Sequence, residues 1–270
     1  MDHVPKRILL TWKEHKVPDC WQVTVDTIRD LMPEWTLVVT SDEDNLKYVD
    51  TYYPEFLEAF KSMELPIMRA DVIRYLQLHR YGGIYHDLDI CPVRSYDYVL
   101  DRLPDADVFL VQTPQGGITN SFMISKPGVH FWYQLVEECF RSISGDRPFW
   151  SDLTKSTYVL NTTGPCILTR FSKKDHKSKV VTLPLGLINP YTMHDATYHW
   201  KDIMDRDPYY YWSSAATRPL PGSSWVTGWE NQLSLFYTSN RTRTWLYILV
   251  IIAVIMVLVI YRIKGYPCKR

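Results

Sequence analysis

Residues 66–92 read PIMRADVIRYLQLHRYGGIYHDLDICP, and this stretch decides the fold. Pro66 suits the first turn of a helix, apolar residues recur at helical spacing as far as Tyr81, and Gly82-Gly83 stops the pattern. A helix over 66–81 follows, in which Asp71 and Arg74 stand three apart and share a face. Ile84 to Ile90 then reads as a strand closed by Pro92. Because side chains alternate across a strand, that reading turns Asp87 and Asp89 to one face and His86 and Leu88 to the other.

Working outward, Lys6–Trp12 (KRILLTW) is a short apolar run suited to a first strand. Cys20–Leu31 is amphipathic and helical, and Trp35–Thr40 (WTLVVT) is a second strand. This is the βαβ rhythm of an α/β sheet. Ser41 is placed to cap the next helix, and Pro54 to open another over 55–61. Further strands are expected over 107–111 and 122–125, with a helix from Val129 to about Ile143. Beyond Phe149 the chain becomes rich in Pro, Gly, Ser, Trp and Tyr, a composition suited to binding loops along a sheet edge.

Two neighbouring carboxylates repel, and each is partly neutralised unless a cation joins them. Carboxylate, phosphate and water oxygens suit Mg²⁺ or Mn²⁺ rather than zinc. Such an ion at Asp87 and Asp89 would stabilise the charge on a departing diphosphate. Taken alone, an Asp-x-Asp is weak evidence, and a solvated turn is the plain alternative. For Asp71 and Arg74 the plain alternative is a surface ion pair.

The setting lends the motif more weight. Pro66 to Tyr75, Tyr81-Gly-Gly-Ile-Tyr and Asp87-Leu-Asp resemble the signature of the DXD sugar-binding glycosyltransferases, a family that includes fungal inositol-phosphoceramide mannosyltransferases and initiating α-1,6-mannosyltransferases. The opening Val4–Trp12 is similar to that family's first strand. The resemblance implies a GT-A fold, a Rossmann-like nucleotide-sugar transferase domain, with a nucleotide-sugar donor, Mn²⁺ (or Mg²⁺) and retention of the anomeric configuration. Carried onto this chain, it gives Asp87 and Asp89 the catalytic metal–diphosphate site and places Trp12 near the nucleobase. Asp71 and Arg74 would then touch the donor's sugars, and Gly83 is counted among the donor-binding residues. By analogy with the more distant glucosylating toxins, Ser224 and Trp225 would close the donor site. Asn120–Ser125 and Thr163–Thr169 look like family segments on the acceptor side. His86 departs from the family's usual apolar residue and is read as packing; His194 and His199 are assigned no role.

Composition narrows the remainder. The 270 residues suit one large domain with an appendage, and Lys plus Arg equals Asp plus Glu at 30 each, so no overall field gathers nucleic acid. Ten Trp and nineteen Tyr fit stacking on sugars, bases or lipid headgroups. Five scattered cysteines form no Cys-x-x-Cys and give no zinc site. Residues 245–261 (WLYILVIIAVIMVLVIY) carry no charge and have aromatic borders, the pattern of a transmembrane helix, followed by a basic tail over 262–270. The expected layout is a transferase domain over 1–240 with a single C-terminal anchor in a Golgi or ER membrane.

The side of the membrane is open. A polar start suggests a tail anchor with a cytosolic domain, whereas the basic tail suggests a luminal one. Sequons at Asn161 and Asn240 matter only in the luminal case. The favoured substrates are GDP-mannose and a membrane lipid, inositol phosphoceramide, with a galactosyl- or glucosyltransferase acting on a glycan or protein as the alternative. A non-catalytic sugar-binding membrane protein is a third possibility. An aspartate-nucleophile phosphatase is disfavoured, since Cys91 stands where that pattern wants Thr or Val. Oligomeric state is not legible.

Overall fold

Three apolar strands near the amino terminus pair in parallel and set the frame: β1 (Arg7–Thr11), β2 (Thr36–Thr40) and β3 (Gly83–His86). The computed structural model describes residues 3–113, 117–145, 154–174, 176–183, 188 and 217–219. Between the parallel strands run α1 (Asp19–Leu31), α2 (Asp42–Tyr52), a 3-10 turn at Pro54–Phe56, α3 (Leu57–Lys61) and α4 (Pro66–Tyr81). β4 (Ile90–Pro92) and α5 (Asp97–Leu100) lead to β5 (Val108–Gln112) and β6 (Ile118–Ser125). α6 (His130–Ser144), α7 (Lys155–Thr162), α8 (Pro165–Phe171), β7 (Val180–Leu183) and β8 (Thr217–Pro219) follow. The main sheet has the order β2-β1-β3-β6-β5-β7, with β6 antiparallel to both its neighbours, and β4 pairs separately with β8. This is a mixed α/β fold around a central sheet.

The pleat divides the core. Leu9, Tyr85, Leu110 and Met123 join the α4 and α6 side with Val72, Tyr75, Leu76 and Trp132. Ile8, Leu10, Ile84, Phe122 and Ile124 join the α1 side with Val25, Ile28 and Tyr96. Each such side chain contributes roughly 1.5–3 kcal/mol by leaving water, so the alternation along β1 and β3 fixes the register on both faces.

One expectation about the key stretch needs correction. The strand does not run from Ile84 to Ile90: it ends at His86, and residues 88–89 form a turn before β4. Partner strands explain the stop. β1 pairs with β3 only through Tyr85, β6 pairs with it through His86, and a bond from Ile90 N–H to the Asp87 carbonyl (3.0 Å) then folds the chain over. Asp87 and Asp89 are thus brought together by a turn rather than by a pleat.

Gly83 has φ +97°, and a Cβ there would lie 2.5 Å from the Arg7 carbonyl oxygen. Its place at the first residue of β3 is roughly 13 Å from Asp87, at about 3.3 Å per strand residue. The structure gives Gly83 a backbone role at the start of β3. Gly83→Ala should lower stability by about 1–3 kcal/mol in urea unfolding, because the strained backbone and the Arg7 contact must both be accommodated.

Among the described residues no helix is long and apolar enough to cross a membrane. The candidate span 245–261, Ser224, Trp225, His194, His199 and the Asn240 sequon lie outside the described residues. The Asn161 sequon lies on α7, where the Asn161 amide donates to the Thr157 carbonyl and Thr163 is fully buried, so the folded protein does not present this triplet.

Candidate active site

The carboxyl ends of β1, β2 and β3 share one edge of the sheet, and Trp12, Ser41 and Asp87 follow them in turn. β1 has β2 on one side and β3 on the other, so the chain departs in two directions here, the place where open α/β sheets bind ligands. α4 ends at the turn that begins β3, and its middle, with Asp71 and Arg74, lies beside the carboxyl end of that strand.

Asp87 sits in a frame of fixed donors. Its Oδ1 accepts from Arg74 Nη1 at 3.0 Å and from the Tyr85 hydroxyl at 2.8 Å. Its Oδ2 has no hydrogen bond or ion pair among the described residues, and the side chain retains 30% exposure. Burial pushes the Tyr85 hydroxyl well above its ordinary value, so it keeps its proton and donates. Arg74 lies with its guanidinium 4.7 Å from the Tyr85 ring centroid. It also donates to the carbonyls of Asn120 (2.9 Å) and Ala70 (3.1 Å) and pairs with Asp71 at 3.3 Å.

Asp71 is fully engaged. Oδ1 accepts from Asn120 Nδ2 at 2.8 Å and Oδ2 from the Thr163 hydroxyl at 2.9 Å, while the Tyr75 hydroxyl links Asn120 to the Thr163 carbonyl. Both Asp71 and Arg74 are only 4% exposed, which removes the surface-pair reading. Both ends of the pair are shifted upward, for different reasons. At Asp71 burial outweighs the Arg74 charge and lifts the carboxyl to about 6. At Arg74, although burial opposes the charge, Asp87, Tyr85 and Asp71 together hold the guanidinium above its ordinary value. The arrangement spends these groups on one another: Arg74 aims Asp87, and Asp71 with Asn120 and Thr163 aims Arg74. Asn120 and Thr163, read from sequence as acceptor-side segments, are joined through Asp71 to the back of the acidic site.

Asp89 is the second carboxylate. Burial first, and then the Asp87 charge, push it up to about 7, although the residue as a whole keeps some exposed surface. The enclosed carboxyl group is what decides the direction. A divalent cation would relieve this cost, so the donor set fits one. Among the described residues no group of three or more His, Cys, Asp and Glu gathers. Two carboxylates therefore leave positions for phosphate and water oxygens, the habit of Mg²⁺-type sites.

The turn itself is pinned from both flanks. Asp87 N–H donates to the Ser121 carbonyl at 2.9 Å, and the Leu88 carbonyl accepts from the Thr24 hydroxyl on α1 at 2.7 Å. His86 is fully buried, with Nδ1 2.9 Å from the Asp87 carbonyl oxygen, and burial lowers it to about 4, so the ring is neutral. Trp12 is half-buried, edge-on to Trp21 with centroids 4.8 Å apart, beside Lys13. Its indole is held at the strand edge without being sealed in the core.

A buried Arg74–Asp71 pair thus stands behind a pinned acidic turn at the carboxyl edge of the sheet. Residues 18–112 match the model of the glycosyltransferase sugar-binding region containing the DXD motif. Among curated proteins it is 37% identical over 134 residues to mannosyl phosphorylinositol ceramide synthase CSH1 of Saccharomyces cerevisiae, covering 50% of this chain and 35% of that protein. It is 30% identical over 239 residues to inositol phosphoceramide mannosyltransferase 2 of Schizosaccharomyces pombe, covering 88% of this chain and 62% of that protein. The chain thus spans 35% to 62% of the length of these relatives. Among solved structures it is similar to the UDP-bound glycosyltransferase domain from the YGT toxin, at 10% identity and a TM-score of 0.45, over 68% of this chain and 80% of that one. The resemblance drawn from Pro66–Asp89 is the one these sequence relatives bear out.

Proposed function

We propose that this chain is a metal-dependent, retaining glycosyltransferase of the GT-A type, held to a Golgi or ER membrane by residues 245–261, that moves mannose from GDP-mannose to inositol phosphoceramide. The observation that carries the reading is the Asp87-Leu88-Asp89 turn at the carboxyl end of β3, with Asp87 fixed by Arg74 and Tyr85 and its second oxygen left without a partner among the described residues. The names of the sequence relatives supply the mannose and the sphingolipid acceptor.

Asp87 and Asp89 would hold Mn²⁺ or Mg²⁺. When bound, such an ion supplies positive charge for the diphosphate that leaves. The chain's own work is positional. Arg74 and Tyr85 keep one oxygen of Asp87 occupied, so the carboxylate cannot rotate away, and the Asp71–Asn120–Thr163 set keeps Arg74 from swinging out. Such fixed charge needs no reorganisation during the reaction. Trp12 would stack on the base.

A donor screen tests the reading: the purified full chain with Mn²⁺, inositol phosphoceramide, and GDP-mannose, UDP-glucose or UDP-galactose, with mass analysis of the product. A gain of one hexose from GDP-mannose alone is expected. Transfer from a UDP-sugar instead would overturn the donor assignment, and binding without turnover of any donor would leave a sugar-binding protein. Trp12→Ala should weaken donor binding by about 1–3 kcal/mol in calorimetry, the range for a base stacked on an aromatic ring. An unfolded variant would assign Trp12 to the core.

A further inference from the structure

We propose that His86 is a positioning residue, whose Nδ1–H fixes the Asp87 carbonyl and with it the turn that offers Asp87 and Asp89 to a divalent cation; this rests on the metal reading above. The carbonyl can only accept, so the bond at 2.9 Å places the ring's hydrogen on Nδ1. Nε2 is then a bare acceptor, and it meets no hydrogen-bond partner among the described residues. The ring lies parallel to Phe122 (5.9 Å, 10°) and edge-on to Tyr96 (5.6 Å, 80°) in an otherwise apolar layer. If filling that layer were the only demand, phenylalanine would meet it without burying an orphaned nitrogen, which always carries a desolvation cost. What the imidazole adds is one donor, aimed at the turn.

The place of that donor matters. The Asp87 carbonyl takes two hydrogen bonds: Ile90 N–H closes the turn, and His86 ties it to the α1 face of the sheet. Thr24 ties the next carbonyl, Leu88, to the same side. Arg74 and Tyr85 meanwhile hold the Asp87 carboxylate from the α4 side. Asp87 is thereby clamped between the two layers, its main chain by one and its side chain by the other. Removing the His86 donor would loosen the backbone half of the clamp without altering any carboxylate.

The test uses the full chain as wild type, His86→Phe and His86→Asn, with two readouts: Mn²⁺ affinity from the electron paramagnetic resonance of free Mn²⁺, and the metal-free unfolding temperature. Asn can place an N–H where Nδ1 stood; Phe can only fill the layer. His86→Phe should unfold at or above the wild-type temperature yet bind Mn²⁺ about tenfold more weakly, the lower end of what losing a group behind a metal ligand brings. His86→Asn should unfold earlier but keep Mn²⁺ affinity close to wild type. Wild-type Mn²⁺ affinity in His86→Phe, or an equal loss in both variants, would overturn the proposal. Should the Phe variant not fold, a folded Asn variant with lost affinity overturns it alone. Absence of Mn²⁺ binding by the wild type removes the metal reading itself, a failure of a different kind from the other two.

Discussion

Asp89→Ala is expected to lower metal-dependent turnover by at least about 10²–10³-fold, the scale seen when one preorganised electrostatic group is taken from a reacting centre. The same variant should leave the metal-free fold intact or slightly firmer. Its carboxyl is held up at about 7 by burial and by Asp87, so the folded protein binds that proton more tightly than the unfolded chain does. Stability from this group is therefore present below the ordinary carboxylate range and is lost as pH rises through about 7. Alanine removes that loss. Initial rates with Mn²⁺, set beside metal-free thermal unfolding at pH 5 and pH 8, check both halves: activity falls, and the drop in stability between the two pH values shrinks. Unaltered turnover would withdraw Asp89 from the site.

Arg74→Ala should destabilise the fold by about 3–5 kcal/mol in urea unfolding, since it strands Asp71 as a buried charge with only neutral donors, Asn120 and Thr163, around it. A surface pair would lose no more than about 1 kcal/mol, so the size of the effect separates the two descriptions of this residue. Arg74→Lys keeps the charge but lacks the planar fork that reaches Asp71, Asp87 and the Asn120 carbonyl together. It should fall between wild type and alanine.

How much of this was legible depended on the range of the interactions. α4 begins at Pro66 and ends at Tyr81 as read, because its proline and its glycine pair are local signals of the chain itself. Ser41 caps α2 through a reciprocal bond with Asp44 for the same reason. The acidic turn was placed correctly along the sequence but given the wrong backbone, since a strand's end is decided by where its partners stop and not by its own residues. Asp71 and Arg74 share a face by their spacing alone, whereas the bonds of Asp71 to Asn120 and Thr163 join residues 49 and 92 positions away, beyond the reach of any periodicity. His86 was read as packing, which its stacking on Phe122 supports; its bond to the Asp87 carbonyl arises only once the chain turns after it.

The most direct measurement is anomalous diffraction from crystals of the chain grown with Mn²⁺ and GDP. A peak within coordination distance of both Asp87 and Asp89, about 2.0–2.1 Å for an Mg²⁺-like ion, and bridged to the diphosphate is the expected result. An ion bound elsewhere, or a diphosphate seated away from that turn, would contradict it.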